Sequence, residues 1–146
     1  MSNERIELAT ASFFGGFNCA QSVCSTFAEQ FGMEWKLALK VSGSFGGGIA
    51  GTGATCGAVT GALMVIGLKY GKCEPDDDSA NQLCREKGEQ FLARFTEKHS
   101  SLTCRELLGC DLSTEEGKRF HEENQGKEKK CKVFVTDAVE ILEELL

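Results

Sequence analysis

Eight of the 146 residues are cysteine: Cys19, Cys24, Cys56, Cys73, Cys84, Cys104, Cys110 and Cys131. Thiolate is the form of cysteine that attacks disulfides and binds metal. The spacing excludes several uses. No CxxC occurs, so neither a thioredoxin-type pair nor a paired-knuckle zinc site is encoded, and there is no CxxCH for c-type haem. Cys19 and Cys24 are five residues apart, about 140° around a helix, and do not share a face. The total, about 5.5% of the chain, is below the roughly 8–10% that marks a small disulfide scaffold.

Four of the eight fall where helices are expected to begin. Cys19 follows the cap candidate Asn18, and Cys104 follows the cap candidate Thr103. Cys56 lies in the first turn of the helix that follows a glycine-rich loop. Cys131 lies in the first turn of the last helix, beside Lys129, Lys130 and Lys132. Free N–H groups and the helix dipole at such ends stabilise a thiolate and lower its pKa. Two chemistries are open to a cluster of these four. They can act as redox thiols, two of them attacking and resolving. They can equally be four thiolate ligands, a set that suits zinc or an iron–sulfur centre. A third reading is a structural or regulatory helical module whose cysteines only pack. Cys24 and Cys84 are expected in the core and Cys73 on the surface. Cys110, six residues after Cys104, is placed to resolve an oxidised Cys104 or to support its site.

The same residues carry a family resemblance. Thr55 to Gly61, TCGAVTG, resembles the CGAxxG signature of the C_GCAxxG_C_C family, described as redox-active. FNCAQSV around Cys19, TCRELLG around Cys104 and KCKVFVTDAVEIL around Cys131 match the family's other cysteine positions in order. The resemblance covers roughly Phe17 to Leu142. It implies redox activity without a settled reaction, and a genomic association with transporters. Similar sequence occurs in cytochrome-associated proteins that hold an iron–sulfur centre. Cys24, Cys73, Cys84 and Cys110 are extra to the pattern.

The elements that must position these thiols read as helices. Ser2 is placed to cap a first one, with Ile6, Ala9 and Phe13 at helical spacing and Gly15-Gly16 stopping it. The second runs from Asn18 through Phe27 to Gly32. Trp35, Leu37, Leu39 and Val41 alternate, which fits a helix or a short strand. SGSFGGGIAGTG, Ser42 to Gly53, is a loop, and a central helix follows from about Ala54 to Tyr70. Gly53, Gly57 and Gly61 form a row of small residues along it, open to a neighbouring helix or to a second subunit. Gly53 and Gly57 are also the candidate backbone contacts to a cofactor held at Cys56. Pro75 and Asp76 to Asp78 open a fifth helix, with Leu83, Cys84, Phe91 and Phe95 on its inner face. Capping boxes are expected at Thr103/Glu106 and Ser113/Glu116. In the last helix Val135, Val139, Leu142 and Leu146 form one apolar row, and Phe134, Ala138, Ile141 and Leu145 the next. The expected fold is a single all-α domain over residues 1–146, a compact bundle of about six to seven helices with much of its core from ten phenylalanines.

Composition narrows the remaining choices. A net charge of −6 disfavours nucleic acid. Val41 to Leu68 is uncharged, but only Ala58 to Leu68 is strongly apolar, too short for a membrane span. With no signal-like segment the expected compartment is the cytoplasm, where thiols stay reduced. The expected partner is a redox partner protein, with a second copy of the chain also open, and the resemblance implies a functional link to a transporter. Gly51-Thr52-Gly53 lacks the rest of a phosphate loop, so no nucleotide is expected. His99 reads as a solvated helix-end charge and His121 as a surface residue.

Overall fold

The structure is a computed structural model describing residues 2–146, with side chains described from Glu4 onward. The Ser2 side chain, expected to cap the first helix, lies outside the described residues. Among the described residues eight α-helices form, one or two beyond the expected count because the short segments are also helical: α1 Ser2–Phe14, α2 Cys19–Ala28, α3 Trp35–Val41, α4 Gly57–Tyr70, α5 Asp78–His99, α6 Cys104–Leu108, α7 Glu115–Glu123 and α8 Lys132–Leu145. A 3-10 turn, Glu29–Phe31, extends α2, and a π turn, Lys127–Cys131, leads into α8. The only β feature among the described residues is an isolated bridge between Thr55 and Thr103. The chain is thus an all-α single domain, and no helix among the described residues is long and apolar enough to cross a membrane.

Local chemistry sets most helix starts. Asn18 caps α2 with a full capping box: its Oδ1 accepts from the Gln21 amide at 2.8 Å, while the Asn18 amide donates to Gln21 Oε1 at 3.0 Å. Asp77 caps α5 through the Ala80 amide. The Thr103/Glu106 box does not form. Ser101 Oγ instead accepts from the Thr103 amide at 3.0 Å and donates to Glu106 at 3.2 Å. The Ser113/Glu116 box is displaced by one residue, with Thr114 as the cap of α7 through the Gly117 amide. Trp35 to Val41 is a helix, not a strand; it buries only Ala38 and Leu39 and leaves Trp35, Leu37 and Val41 exposed.

The core sits on α4, which is apolar on all sides and touches α2, α5 and α8. Both expected rows of α8 are inside, from Phe134 to Leu145. Five phenylalanines are buried, Phe13, Phe27, Phe91, Phe95 and Phe134; Phe14 and Phe120 face solvent, so aromatic mass in the core is half of what the ten suggest. Leu83, expected inside, is exposed.

The small-residue row is an internal seam. Gly53 lies outside the helix, in the loop, with φ +78°. Gly57 and Gly61 press against α2 at Ala20, and a Cβ on Gly61 would sit 2.7 Å from the Ala20 carbonyl oxygen. A subunit contact through these two glycines is therefore closed off by α2. Alanine at Gly61 meets backbone, which cannot swing away, so overpacking outweighs the helix-propensity gain of about 0.5–1 kcal/mol. Gly61→Ala is expected to cost about 1–3 kcal/mol, read as a lower Tm. Gly67, in the same helix with nothing within 4 Å of a Cβ, is the control; Gly67→Ala is expected to raise Tm. Equal shifts of one sign would refute the seam argument.

Candidate functional site

The glycine-rich loop is the frame of the site. Gly47, Gly48, Ile49, Ala50, Gly51 and Gly53 all have positive φ, an uncommon setting for the non-glycines and strained for β-branched Ile49. At Gly48 (φ +74°) a Cβ would lie 2.6 Å from the Cys104 Cβ and 2.7 Å from the Ala54 amide nitrogen, so only glycine lets the loop pass. The loop then pairs with the start of α6. Cys56 N–H donates to Leu102 O at 2.8 Å, Cys104 N–H to Ala54 O at 2.7 Å, and Arg105 N–H to Gly53 O at 3.1 Å. These bonds set the starts of α4 and α6 side by side, with Cys56 as the residue capping α4 and Cys104 as the first of α6.

A cavity of about 280 Å³ lies between this junction, the start of α2 and the π turn. Cys19, Cys56, Cys104 and Cys131 all line it, with Gly47, Gly48 and Gly57 at the loop side. Gly53 does not line it; its space is taken by Arg105, whose Nε would be 3.0 Å from a Cβ. Phe13, Phe17, Leu107, Leu108, Leu112 and Phe134 make the rest largely apolar. Cys56, Cys104 and Cys131 are buried and Cys19 is partly buried. All eight cysteines are free thiols. Among the described residues no three His, Cys, Asp or Glu side chains are gathered closely enough to hold one metal ion. The four thiols line the cavity rather than meet at a point.

Helix ends were expected to lower all four pKa values; three are raised instead, Cys56 and Cys104 chiefly by burial and Cys19 chiefly by its hydrogen bond with Cys131. The Cys56 thiol is pushed up to about 11 by burial, which the Ala58 and Val59 amides at the start of α4 only partly offset. Cys104 is pushed up to about 12 by burial and by the neighbouring thiols, Cys56 first. Cys19 and Cys131 are in direct hydrogen-bond contact and part ways. Cys19, which donates, is raised well above the usual thiol value, by that bond and by burial. Cys131, which accepts, is lowered by the same bond, against burial and with help from the Lys127 charge. Cys131 is also not at a free helix end: it closes the π turn, already in helical conformation, immediately before α8.

A raised folded-state pKa makes stability fall once the unfolded thiol ionises and the folded one does not. For Cys56 that window runs from pH 9.0 to about 11. Its contribution declines there by at most about 1.4 kcal/mol per pH unit. Cys131, depressed, acts in the opposite sense, adding stability as pH rises towards the ordinary thiol value. Urea midpoints of the wild type are expected to fall more steeply than those of Cys56→Ala across this window; parallel profiles would count against the burial of a neutral thiol.

The structure also brings in residues that the spacing did not single out. His121 and Lys127 line the cavity and a shallower groove outside it. His121 is partly buried, not a surface residue, and its pKa is lowered by desolvation, with Glu128 opposing and Lys130 assisting. Gly126 packs directly on its ring, with no room for a Cβ. Lys127 stands one helical turn before Cys131, an i, i+4 spacing that the sequence does display. Of the lysines named from sequence, Lys130 is engaged elsewhere, donating to Leu108 O at 3.1 Å at the end of α6. His99 is neither a solvated charge nor a cavity residue. Its Nε2 lies 2.7 Å from Asp137 Oδ2, and its ring packs on Phe95 and Phe134. Cys24 is in the core, Cys73 is exposed, Cys84 packs at the core edge, and Cys110 is partly buried outside the cavity.

A family model described as "Putative redox-active protein (C_GCAxxG_C_C)" matches residues 17–145. No curated protein and no solved structure matches the chain.

Proposed function

We propose, from the premise that the chain belongs to the C_GCAxxG_C_C family, that its redox activity is thiol–disulfide exchange carried by Cys131 and Cys19. The observation that carries this reading is that the two thiols line one cavity and shift each other's acidity in opposite directions. The Cys131 thiolate attacks one sulfur of a substrate disulfide, of a partner protein or a small molecule. A mixed disulfide forms and one substrate thiolate leaves. Cys19 then attacks the Cys131 sulfur, its proton passing to a departing thiolate, and the second substrate thiol is released. Two protein thiols are oxidised to one disulfide and one substrate disulfide is reduced to two thiols. The Lys127 charge favours the attacking thiolate, against the burial that opposes it.

The test is equilibration with glutathione redox buffers, followed by alkylation of remaining thiols and mapping of the pairs by mass spectrometry. A two-electron couple assigned to Cys19–Cys131 is expected. Both cysteines remaining alkylatable under oxidising buffer would overturn the reading.

A second reading, an iron–sulfur protein with Cys19, Cys56, Cys104 and Cys131 as ligands, is favoured by the presence of all four thiols around one cavity. Such a centre would supply one-electron transfer. Anaerobically purified protein with stoichiometric iron and visible charge-transfer absorption would establish it; colourless, iron-free protein would sink it.

A further inference from the structure

A second sulfur cluster lies away from the redox cavity. Two of the three methionines, Met33 and Met64, and the buried Cys24 line one cavity of about 330 Å³ between α2, α3 and α4. The three are also in one packing cluster, with both methionines only partly buried. The remaining walls are Val41, Phe45, Gly67 and Leu68, wholly without carboxylate or imidazole. Val41 is half exposed, so the cavity reaches the surface.

We propose that Cys24, Met33 and Met64 form a binding site for a soft monovalent metal ion, Cu(I) in the first instance. Thiolate and thioether donors select Cu(I) over harder ions. Zinc sites are built from Cys, His, Asp and Glu, and calcium sites from oxygen donors; Cys24 alone serves the first and nothing here serves the second. Charge decides further. A cuprous ion bound to one thiolate is neutral overall, whereas a divalent ion would leave a net positive charge in an apolar cavity, which is costly to bury. Methionine's three rotatable bonds let both thioethers swing onto the ion without moving the helices. Binding exchanges the Cys24 S–H for a Cys24 S–Cu bond and releases one proton to solvent, with no change in oxidation state. The site is independent of the exchange chemistry at Cys19 and Cys131.

The test uses the full chain carrying methyl-13C methionine, titrated anaerobically to saturation with Cu(I). Because the other thiols also bind Cu(I), the readout is the methionine signal. The Met33 and Met64 methyl resonances are expected to shift, and Cys24→Ala is expected to abolish the shifts. Resonances that stay in place at saturation, or shifts that persist in Cys24→Ala, would overturn the site. Should Cys24→Ala fail to fold, the double variant Met33→Leu/Met64→Leu keeps core volume. It is expected to bind one Cu(I) fewer per chain, and an undiminished stoichiometry would overturn the proposal equally.

Discussion

Cys131→Ser is expected to abolish the two-electron couple of this chain, while Cys19→Ser halts it one step later. The two variants differ because the thiols have different roles. Cys131 is the one thiol in the cavity whose pKa is lowered, by the Cys19 hydrogen bond and the Lys127 charge. Cys56 and Cys104 are held protonated by burial, at about 11 and about 12, and are poor nucleophiles near neutral pH. With Cys131 gone, no competent attacking thiolate is left in the cavity. With Cys19 gone, attack proceeds but nothing resolves it, so glutathione should accumulate as a mixed disulfide on Cys131. Mass spectrometry of glutathione-equilibrated protein reads both outcomes. Cys56→Ser is the contrast, expected to leave the couple in place. A Cys131→Ser protein that still forms one disulfide to the same extent, for instance between Cys104 and Cys110, would end the assignment.

Phe95→Ala is expected to cost about 3–5 kcal/mol, the usual range for emptying a buried aromatic site. Against a typical total of about 5–15 kcal/mol this is a large fraction of stability. Phe95 is fully buried and ties α5 to α8. Its ring stacks with Phe91 at 6.0 Å, lies 6.1 Å from Phe134 and packs on His99 at 4.7 Å. The same cluster carries the His99–Asp137 contact between the two helices. Phe134 is a wall of the cysteine-lined cavity, one turn beyond Cys131, so loosening this cluster also loosens the cavity. Denaturant unfolding should show the loss, and alkylation of Cys131 should become less selective. Phe120, about half exposed, is the control; Phe120→Ala is expected within about 0.5 kcal/mol of wild type. Similar losses for both would show that the aromatic cluster is not a stability centre.

What the sequence determined by itself is what neighbouring residues decide among themselves. The all-α class follows from helical spacing and from stops such as Gly15-Gly16. Asn18 with Gln21 three residues on makes a capping box that needs no partner elsewhere, so Cys19 begins α2 as expected. The burial of Cys24 and the exposure of Cys73 were likewise legible from local pattern. The Thr103 box failed because a competing neighbour, Ser101, took the same groups.

Tertiary structure alone decided which helix ends meet. Cys19 and Cys131 lie near opposite ends of the chain, and no local spacing pairs them. The Thr55–Thr103 bridge, which sets Cys56 beside Cys104, joins segments whose backbone groups carry no sequence signature. Acidity was decided there as well. A helix end contributes a fixed, modest preference for thiolate, legible from position. Burial and neighbouring thiols act with the opposite sign, and they exist only once the chain has closed around the cavity. Hence four cysteines that look alike in sequence become one thiol of lowered pKa and three of raised pKa.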